Sequence, residues 1–100
     1  MPKIYEYLGL IFFFYANEHI PIHVHVAKAE RESKIELGFI NGKLIGLQVK
    51  KVKGRKPLDE NELKDALKFI KKYYKGIVGK WADFFVYGTK VKCEVITKKI

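Results

Sequence analysis

The sequence predicts an α+β domain: an antiparallel sheet of about five to six strands, with one long helix packed on one face. Three observations predict it. Apolar and polar residues alternate along much of the N-terminal half, the pair Asn41-Gly42 is a strong signal for a tight hairpin, and a helical stripe of apolar residues follows. Most of the predicted strands therefore precede the helix, and one follows it.

Five strands are predicted before the helix. They cover residues 3–7, 10–15, 22–27, 34–39 and 43–49. The second of them is apolar on both faces, which is typical of a central strand. In the third, Ile22, Val24 and Val26 share one face. His23 and His25 share the other face, so their side chains are expected about 7 Å apart.

The helix is predicted over residues 59–85, and its start is well marked. Asp59 is a good N-cap, and Glu62 lies three residues later, which makes a capping box. Gly88 ends the helical pattern. A last strand around residues 91–96 would then place Cys93 on the apolar side of the sheet, with Val91 and Val95.

Length and composition narrow the class of protein. The chain has 100 residues, so we expect one domain over residues 1–100. A hydrophobic fraction of 48% excludes a disordered tail. A single cysteine excludes internal disulfides and thiolate zinc sites, and favours the cytoplasm. The apolar run over residues 8–15 is too short to span a membrane, so no membrane partner is expected.

The positive charge is concentrated in the middle of the chain. Residues 1–42 carry 4 basic and 5 acidic groups (net −1), residues 43–80 carry 12 and 4 (net +8), and residues 81–100 carry 4 and 2 (net +2). Such a segment is typical of a surface that binds RNA, DNA or an acidic protein, although a solvated surface has the same composition. The candidate nucleic-acid contacts lie in the basic loop, which we define as residues 50–56: Lys50, Lys51, Lys53, Arg55 and Lys56.

All three histidines fall in the run N-E-H-I-P-I-H-V-H-V. His19 belongs to a predicted turn over residues 16–21, and the turn could bring it close to His23 and His25. Histidine can accept or donate a proton near neutral pH, so these three are the candidate catalytic residues. Beside a basic surface the reaction to expect is metal-independent RNA cleavage.

In that reaction one imidazole takes the proton of the 2′-hydroxyl and another protonates the leaving oxygen. A cationic side chain would stabilise the phosphate, and three residues are candidates for this role: Arg31, Lys34 and Arg55.

Two other uses of the histidines stay open. The first is a metal site, in which His23 and His25 would need a third ligand such as His19, Glu18 or Glu36. The second is purely structural: strand histidines on a half-exposed face, stacked on Tyr15 or Tyr5 and hydrogen-bonded to the next strand. Apart from the metal ion of the first alternative, no cofactor is expected.

The N-terminal region resembles a known family of small prokaryotic proteins, the domain of unknown function 4160 family. The resemblance rests on an initial Met1-Pro2, a short aromatic strand that ends at Tyr15, and the motif N-E-H-x-P-x-H-V-H-V over residues 17–26. A K-W-x-D-F-F-like segment over residues 80–85 also agrees. The basic loop is longer than in typical members.

The resemblance implies a partner protein and a biological role, but no particular reaction. Members are often encoded beside a small partner protein, and some are described as toxin components of toxin–antitoxin pairs. We therefore expect a toxin component that acts on RNA through the histidines and binds a small antitoxin-like protein. The alternative is a non-enzymatic module that binds nucleic acid or an acidic protein. A homodimer would cover any aromatic patch that a chain of this size leaves exposed.

Overall fold

The computed structural model describes residues 2–15 and 22–100, which form a six-stranded sheet with one helix on one face. The strands are β1 (Lys3–Tyr7), β2 (Leu10–Phe13), β3 (His23–Lys28), β4 (Arg31–Ile40), β5 (Lys43–Lys51) and β6 (Glu94–Ile96), and the helix α1 (Glu60–Phe85) comes between β5 and β6. The α+β class and the order of the elements are confirmed. The predicted turn over residues 16–21, with Glu18 and His19, lies outside the described residues.

The strand order across the sheet is β5-β4-β3-β2-β1-β6. Neighbouring strands from β1 to β5 are antiparallel, whereas β6 runs parallel to β1. Parallel neighbours need a long connection. Here α1 takes the chain from one edge of the sheet to the other, and β6 then joins the free side of β1.

The strand bounds differ from the prediction mainly at the turns. β4 begins three residues earlier than expected, because Ala29 and Glu30 form a tight turn in which Ala29 has a φ of 55°. The Asn41-Gly42 turn lies where predicted, and both of its residues have positive φ. β2 ends at Phe13 rather than at residue 15. It is a central strand, as its apolar pattern predicts.

The core lies between α1 and the face of the sheet that the helix covers. Val24 and Val26 of β3 are fully buried there, as their alternation with the histidines predicts. Phe69 of α1 stacks on Phe12 of β2 with ring centroids 4.7 Å apart. Burial of each large apolar side chain stabilises the fold by about 1.5–3 kcal/mol. The helix is therefore fixed on the sheet by several such contacts, with Ala66, Phe69, Ile70 and Ile77 as its buried residues.

The predicted capping box is present at the start of α1. The Asp59 carboxylate accepts a hydrogen bond of 2.7 Å from the backbone N–H of Glu62, and the Glu62 side chain accepts one of 2.9 Å from the N–H of Asp59. Leu58, just before the cap, is buried, and its N–H donates to Ser33 Oγ of β4 at 3.1 Å. The helix start is thereby tied to the sheet. None of the described helices is long and apolar enough to cross a membrane.

The last strand corrects one expectation. Cys93 is exposed rather than on the apolar side, because residues 89–93 are irregular and a two-residue alternation does not apply there. In β6, Ile96 packs against the core and Val95 is exposed. Lys80 of α1 holds this segment: its Nζ lies 2.9 Å from a Glu94 carboxylate oxygen and donates to the Lys92 carbonyl at 2.8 Å.

Candidate functional site

The two histidines of β3 lie on the sheet face that the helix does not cover. The alternation along the strand predicts this placement, since Val24 and Val26 point the other way into the core. The rings of His23 and His25 are neighbours, with centroids 5.5 Å apart. Both residues are buried, at 5% and 3% exposure, so the half-exposed face expected for structural histidines is wrong.

A buried hydrogen bond joins His25 to Glu32 of β4. His25 Nδ1 lies 2.9 Å from Glu32 Oε2, and the two side chains are only 3% and 4% exposed. Because a carboxylate can only accept, Nδ1 carries the hydrogen of this bond. The Tyr15 hydroxyl donates to the same Oε2 at 3.2 Å, and Arg55 Nε lies 3.7 Å from Oε1. A carboxylate buried to this extent is stable only when it is hydrogen-bonded in such a network.

Aromatic rings enclose His25 on the same face. Phe13 of β2 stacks on its ring with centroids 5.4 Å apart, and Tyr15 meets it edge to face at 4.3 Å. The expected contact with Tyr15 is therefore present, whereas Tyr5 packs against Phe69 on the helix side. We call His23, His25, Glu32 and Tyr15, together with Arg55, the histidine network.

The histidine network has the chemistry of an oriented base. A carboxylate that holds one ring nitrogen selects the tautomer and fixes the ring plane. General acid–base catalysis also needs a substrate atom within about 3 Å of a ring nitrogen. A histidine that is 3% exposed offers little room for that approach. The same arrangement also satisfies a histidine and a glutamate buried together, which is the structural use.

The third predicted histidine, His19, lies outside the described residues, as does Glu18. Glu36 is paired in register with His23, but its carboxylate is 3.3 Å from Lys50 Nζ. Across residues 2–15 and 22–100, no three His, Cys, Asp or Glu side chains are grouped so that they could hold a metal ion.

The basic loop leads from β5 to the helix start. Its first two residues, Lys50 and Lys51, lie in β5 itself, because the strand continues two residues beyond its predicted end at residue 49. Two of its five predicted contacts form ion pairs, Lys50 with Glu36 and Arg55 with Glu32, although both side chains keep at least 40% exposure. Lys51, Lys53 and Lys56 are exposed, and within the described chain their ammonium groups form no ion pair. The loop thus combines solvent-facing lysines with one arginine that belongs to the histidine network.

The other candidate phosphate contacts lie close by. Arg31 donates to the Pro57 carbonyl at 3.2 Å, and Lys34 is paired in register with His25 on one side and Lys50 on the other. The structure therefore brings Lys34, Arg55 and the two described histidines to one face of the sheet, and places Arg31 at the end of the loop.

A second basic surface lies on α1. We call it the lysine stripe; its five residues are all exposed and are Lys64, Lys68, Lys71, Lys72 and Lys75. At 100° and 1.5 Å per residue, the stripe covers about 100° of the helix circumference and is about 16 Å long. It lies almost opposite the buried residues of the helix. In the described part of the chain, none of its ammonium groups has a carboxylate within ion-pair distance.

Sequence reasoning missed Glu32 as a member of the histidine network. The signal was weak, because a glutamate in a strand is usually exposed. The tight turn at Ala29 and Glu30 sets the register that places Ala27 opposite Glu32, two residues from His25. Recognition of that turn would have placed Glu32 on the histidine face.

The fold and the site define a small α+β domain with a buried histidine–carboxylate pair on one sheet face and a basic helix on the other. A family model, described as a domain of unknown function, DUF4160, matches residues 9–82. The chain belongs to this family. No curated protein and no solved structure matches the chain.

Proposed function

We propose that this protein binds RNA through its exposed lysines and acts as the toxin component of a toxin–antitoxin pair. The observation that carries the proposal is the lysine stripe: five exposed ammonium groups on one side of α1, with no carboxylate of the described residues within ion-pair distance. The excess of charge in residues 43–80, net +8 from 12 basic and 4 acidic groups, supports it. Each RNA phosphate that a lysine neutralises releases a bound counterion, and this release favours binding to RNA of any sequence.

In this proposal the two described histidines are structural. Their burial and the hydrogen bond of His25 with Glu32 support this role, because both features hold β3 against β4 and Tyr15. Growth arrest would then come from occupation of an RNA rather than from its cleavage. The toxin setting itself rests on the family resemblance.

The binding test compares two triple variants with equal loss of charge. One neutralises the lysine stripe (Lys64→Gln, Lys68→Gln, Lys72→Gln), and the other neutralises the basic loop (Lys51→Gln, Lys53→Gln, Lys56→Gln). Binding of a labelled single-stranded RNA is followed by fluorescence anisotropy over a range of salt. Each phosphate contact contributes a slope of about −0.7 in log K against log salt, so the stripe variant should lose about 2 units of slope.

Equal, small losses in both triple variants would contradict a defined RNA surface. A larger loss in the loop variant would place the contacts on the basic loop, as the sequence alone suggests. Absence of RNA binding by the wild type would refute the proposal.

The toxin proposal is tested by growth after tightly controlled expression in a bacterial host. The wild type is compared with the stripe variant and with the double variant His23→Ala, His25→Ala, each shown to be soluble and folded. We expect arrest by the wild type, and loss of arrest in the stripe variant. Normal growth with the wild type would remove the support for a toxin in that host.

Histidine-catalysed RNA cleavage is a second candidate, favoured by one observation. Glu32 fixes the tautomer and plane of the His25 ring, as an orienting carboxylate does for a catalytic base. Cleavage of a fluorogenic RNA by the wild type, lost in His19→Ala or His23→Asn at unchanged melting temperature, would support it. Binding without cleavage would favour the structural role.

A further inference from the structure

We infer that the outer edge of β5 is a docking site for an extended, acidic segment of another protein, which would add to the sheet as a seventh strand. This mode of recognition uses main-chain hydrogen bonds for affinity, and clefts for alternate side chains for specificity. The inference does not rest on RNA binding, since it concerns a different surface and a different class of partner.

The edge of β5 is long and open. β5 has nine residues and ends the strand order, so β4 is its one neighbour in the described sheet. In residues 2–15 and 22–100, no backbone hydrogen bond from another segment reaches its outer side. Strands usually have about five or six residues, and proteins commonly shorten or cover an edge to prevent pairing. A nine-residue open edge is therefore available as a template for another strand.

Two clefts border the strand, one on each face of the sheet. The cleft on the helix side is lined by Leu44 and Leu47, with Lys71 and Tyr74 of α1 opposite them. The cleft on the other face is lined by Ile45, Gln48 and Glu36, whose carboxylate is paired with Lys50. This cleft is deepened because Gly38 and Gly46 face each other without side chains. Successive side chains of an added strand point to opposite faces, so each cleft would receive every second one.

The charges at β5 select the partner. Lys43 lies at one end of the strand, Lys51 lies at the other, and Lys71 borders the cleft on the helix side. The ammonium group of Lys50, beside Lys51, is already paired with Glu36. The other three ammonium groups favour a segment with glutamate or aspartate near its ends. Apolar residues in the centre of that segment would pack against Ile45, which is 62% exposed, and against the partly buried Leu47.

The same charges disfavour a second copy of this chain. Antiparallel pairing of two β5 strands over their full length brings Lys43 of each copy opposite Lys51 of the other. Like charges directly opposite each other destabilise a strand pair. Each copy also carries a net charge of +9. The lysines thus disfavour self-association at this edge and favour an acidic strand.

The test uses a capped peptide of about nine residues to match β5, with two glutamates at each end and apolar residues between them. Its affinity is measured by isothermal titration calorimetry with the wild type and two double variants of equal charge change. Lys43→Glu, Lys51→Glu alters the edge, and Lys68→Glu, Lys72→Glu alters the lysine stripe. We expect about a tenfold weaker Kd for the edge variant and less than a twofold change for the stripe variant.

Hydrogen exchange of the β5 amides distinguishes strand addition from general electrostatic attraction. Attraction alone would not protect particular amides of β5. Successive N–H groups of an antiparallel strand point alternately to the two sides, so about half of the β5 amides face outward. The peptide should slow exchange at every second amide of β5. Equal weakening in both double variants, or no such pattern, would overturn the inference. So would protection of these amides in a peptide-free dimer.

Discussion

The contact between Gly76 of α1 and Tyr5 of β1 leads to a sharp prediction about helix packing. A Cβ atom added at Gly76 would overlap the Tyr5 hydroxyl and lie 3.3 Å from Cζ. The tyrosine has little freedom to move away, because it is 3% exposed and its ring packs edge to face on Phe69 at 5.3 Å. Lys80 Nζ also lies 5.1 Å from the ring centroid.

The magnitude follows from two opposing effects. Alanine in place of a helical glycine stabilises a helix by about 1 kcal/mol. Overpacking of a rigid core typically costs about 1–3 kcal/mol, so Gly76→Ala should lower the free energy of unfolding by about 1 kcal/mol. Gly79 is the matched control, because a Cβ there meets nothing within 4 Å. Gly79→Ala should therefore raise the free energy of unfolding by about 1 kcal/mol.

Urea denaturation followed by circular dichroism measures both variants. The expected difference of about 2 kcal/mol corresponds to roughly 8–16 °C between their melting temperatures. The background Tyr5→Phe provides a double-mutant cycle, since removal of the hydroxyl should abolish most of the cost of Gly76→Ala. Equal stabilisation by alanine at both glycines would refute the packing argument, and so would a cost that persists without the hydroxyl.

Three further predictions concern ionisable groups. Burial, followed by the charge of Glu94, raises the pKa of Tyr5 above its ordinary value of 10.0. The folded state therefore holds this proton more tightly than the unfolded state, and stability should fall as pH rises above about 10. Urea titrations on both sides of that pH should show a smaller fall in Tyr5→Phe, and an equal fall would contradict the assignment. Glu32→Gln should lower the free energy of unfolding by about 2–4 kcal/mol, because it breaks the buried pair with His25. Glu36→Gln is the control and should lower it by less than about 1 kcal/mol, because its partner Lys50 is exposed. Similar losses for the two variants in chemical denaturation would show that burial of the pair does not determine its contribution. Asp59→Ala should cost about 1 kcal/mol by removing the helix cap, measured as a lower melting temperature, and an unchanged value would mean that the capping box adds nothing to stability.

Local signals predicted the parts of the fold that depend on a few neighbouring residues. The Asn41-Gly42 turn and the capping box at Asp59 and Glu62 are confirmed, because each needs only particular side chains at fixed spacing. The alternation in β3 correctly separated His23 and His25 from the core face.

Features that depend on register and long-range pairing were not predictable in the same way. The turn at Ala29 has no glycine or asparagine to mark it, and it decides which β4 residue faces His25. The exposure of Cys93 depends on irregular backbone after the helix. Burial of Glu32 requires Tyr15, Arg55 and His25 together, and these come from separate elements.

The parallel pairing of β6 with β1 has a consequence for the order in which the protein folds. Tyr5 pairs with Glu94, so this contact closes a loop that contains almost the whole chain. Contacts of such long sequence separation form late, because the entropy of loop closure must first be offset by other contacts. During synthesis β1 emerges before the other strands, and its outer edge stays unpaired until β6 has been made. Until β6 pairs with β1, a growing chain has two open sheet edges, those of β5 and β1. The Lys80–Glu94 ion pair then helps to hold β6 against β1.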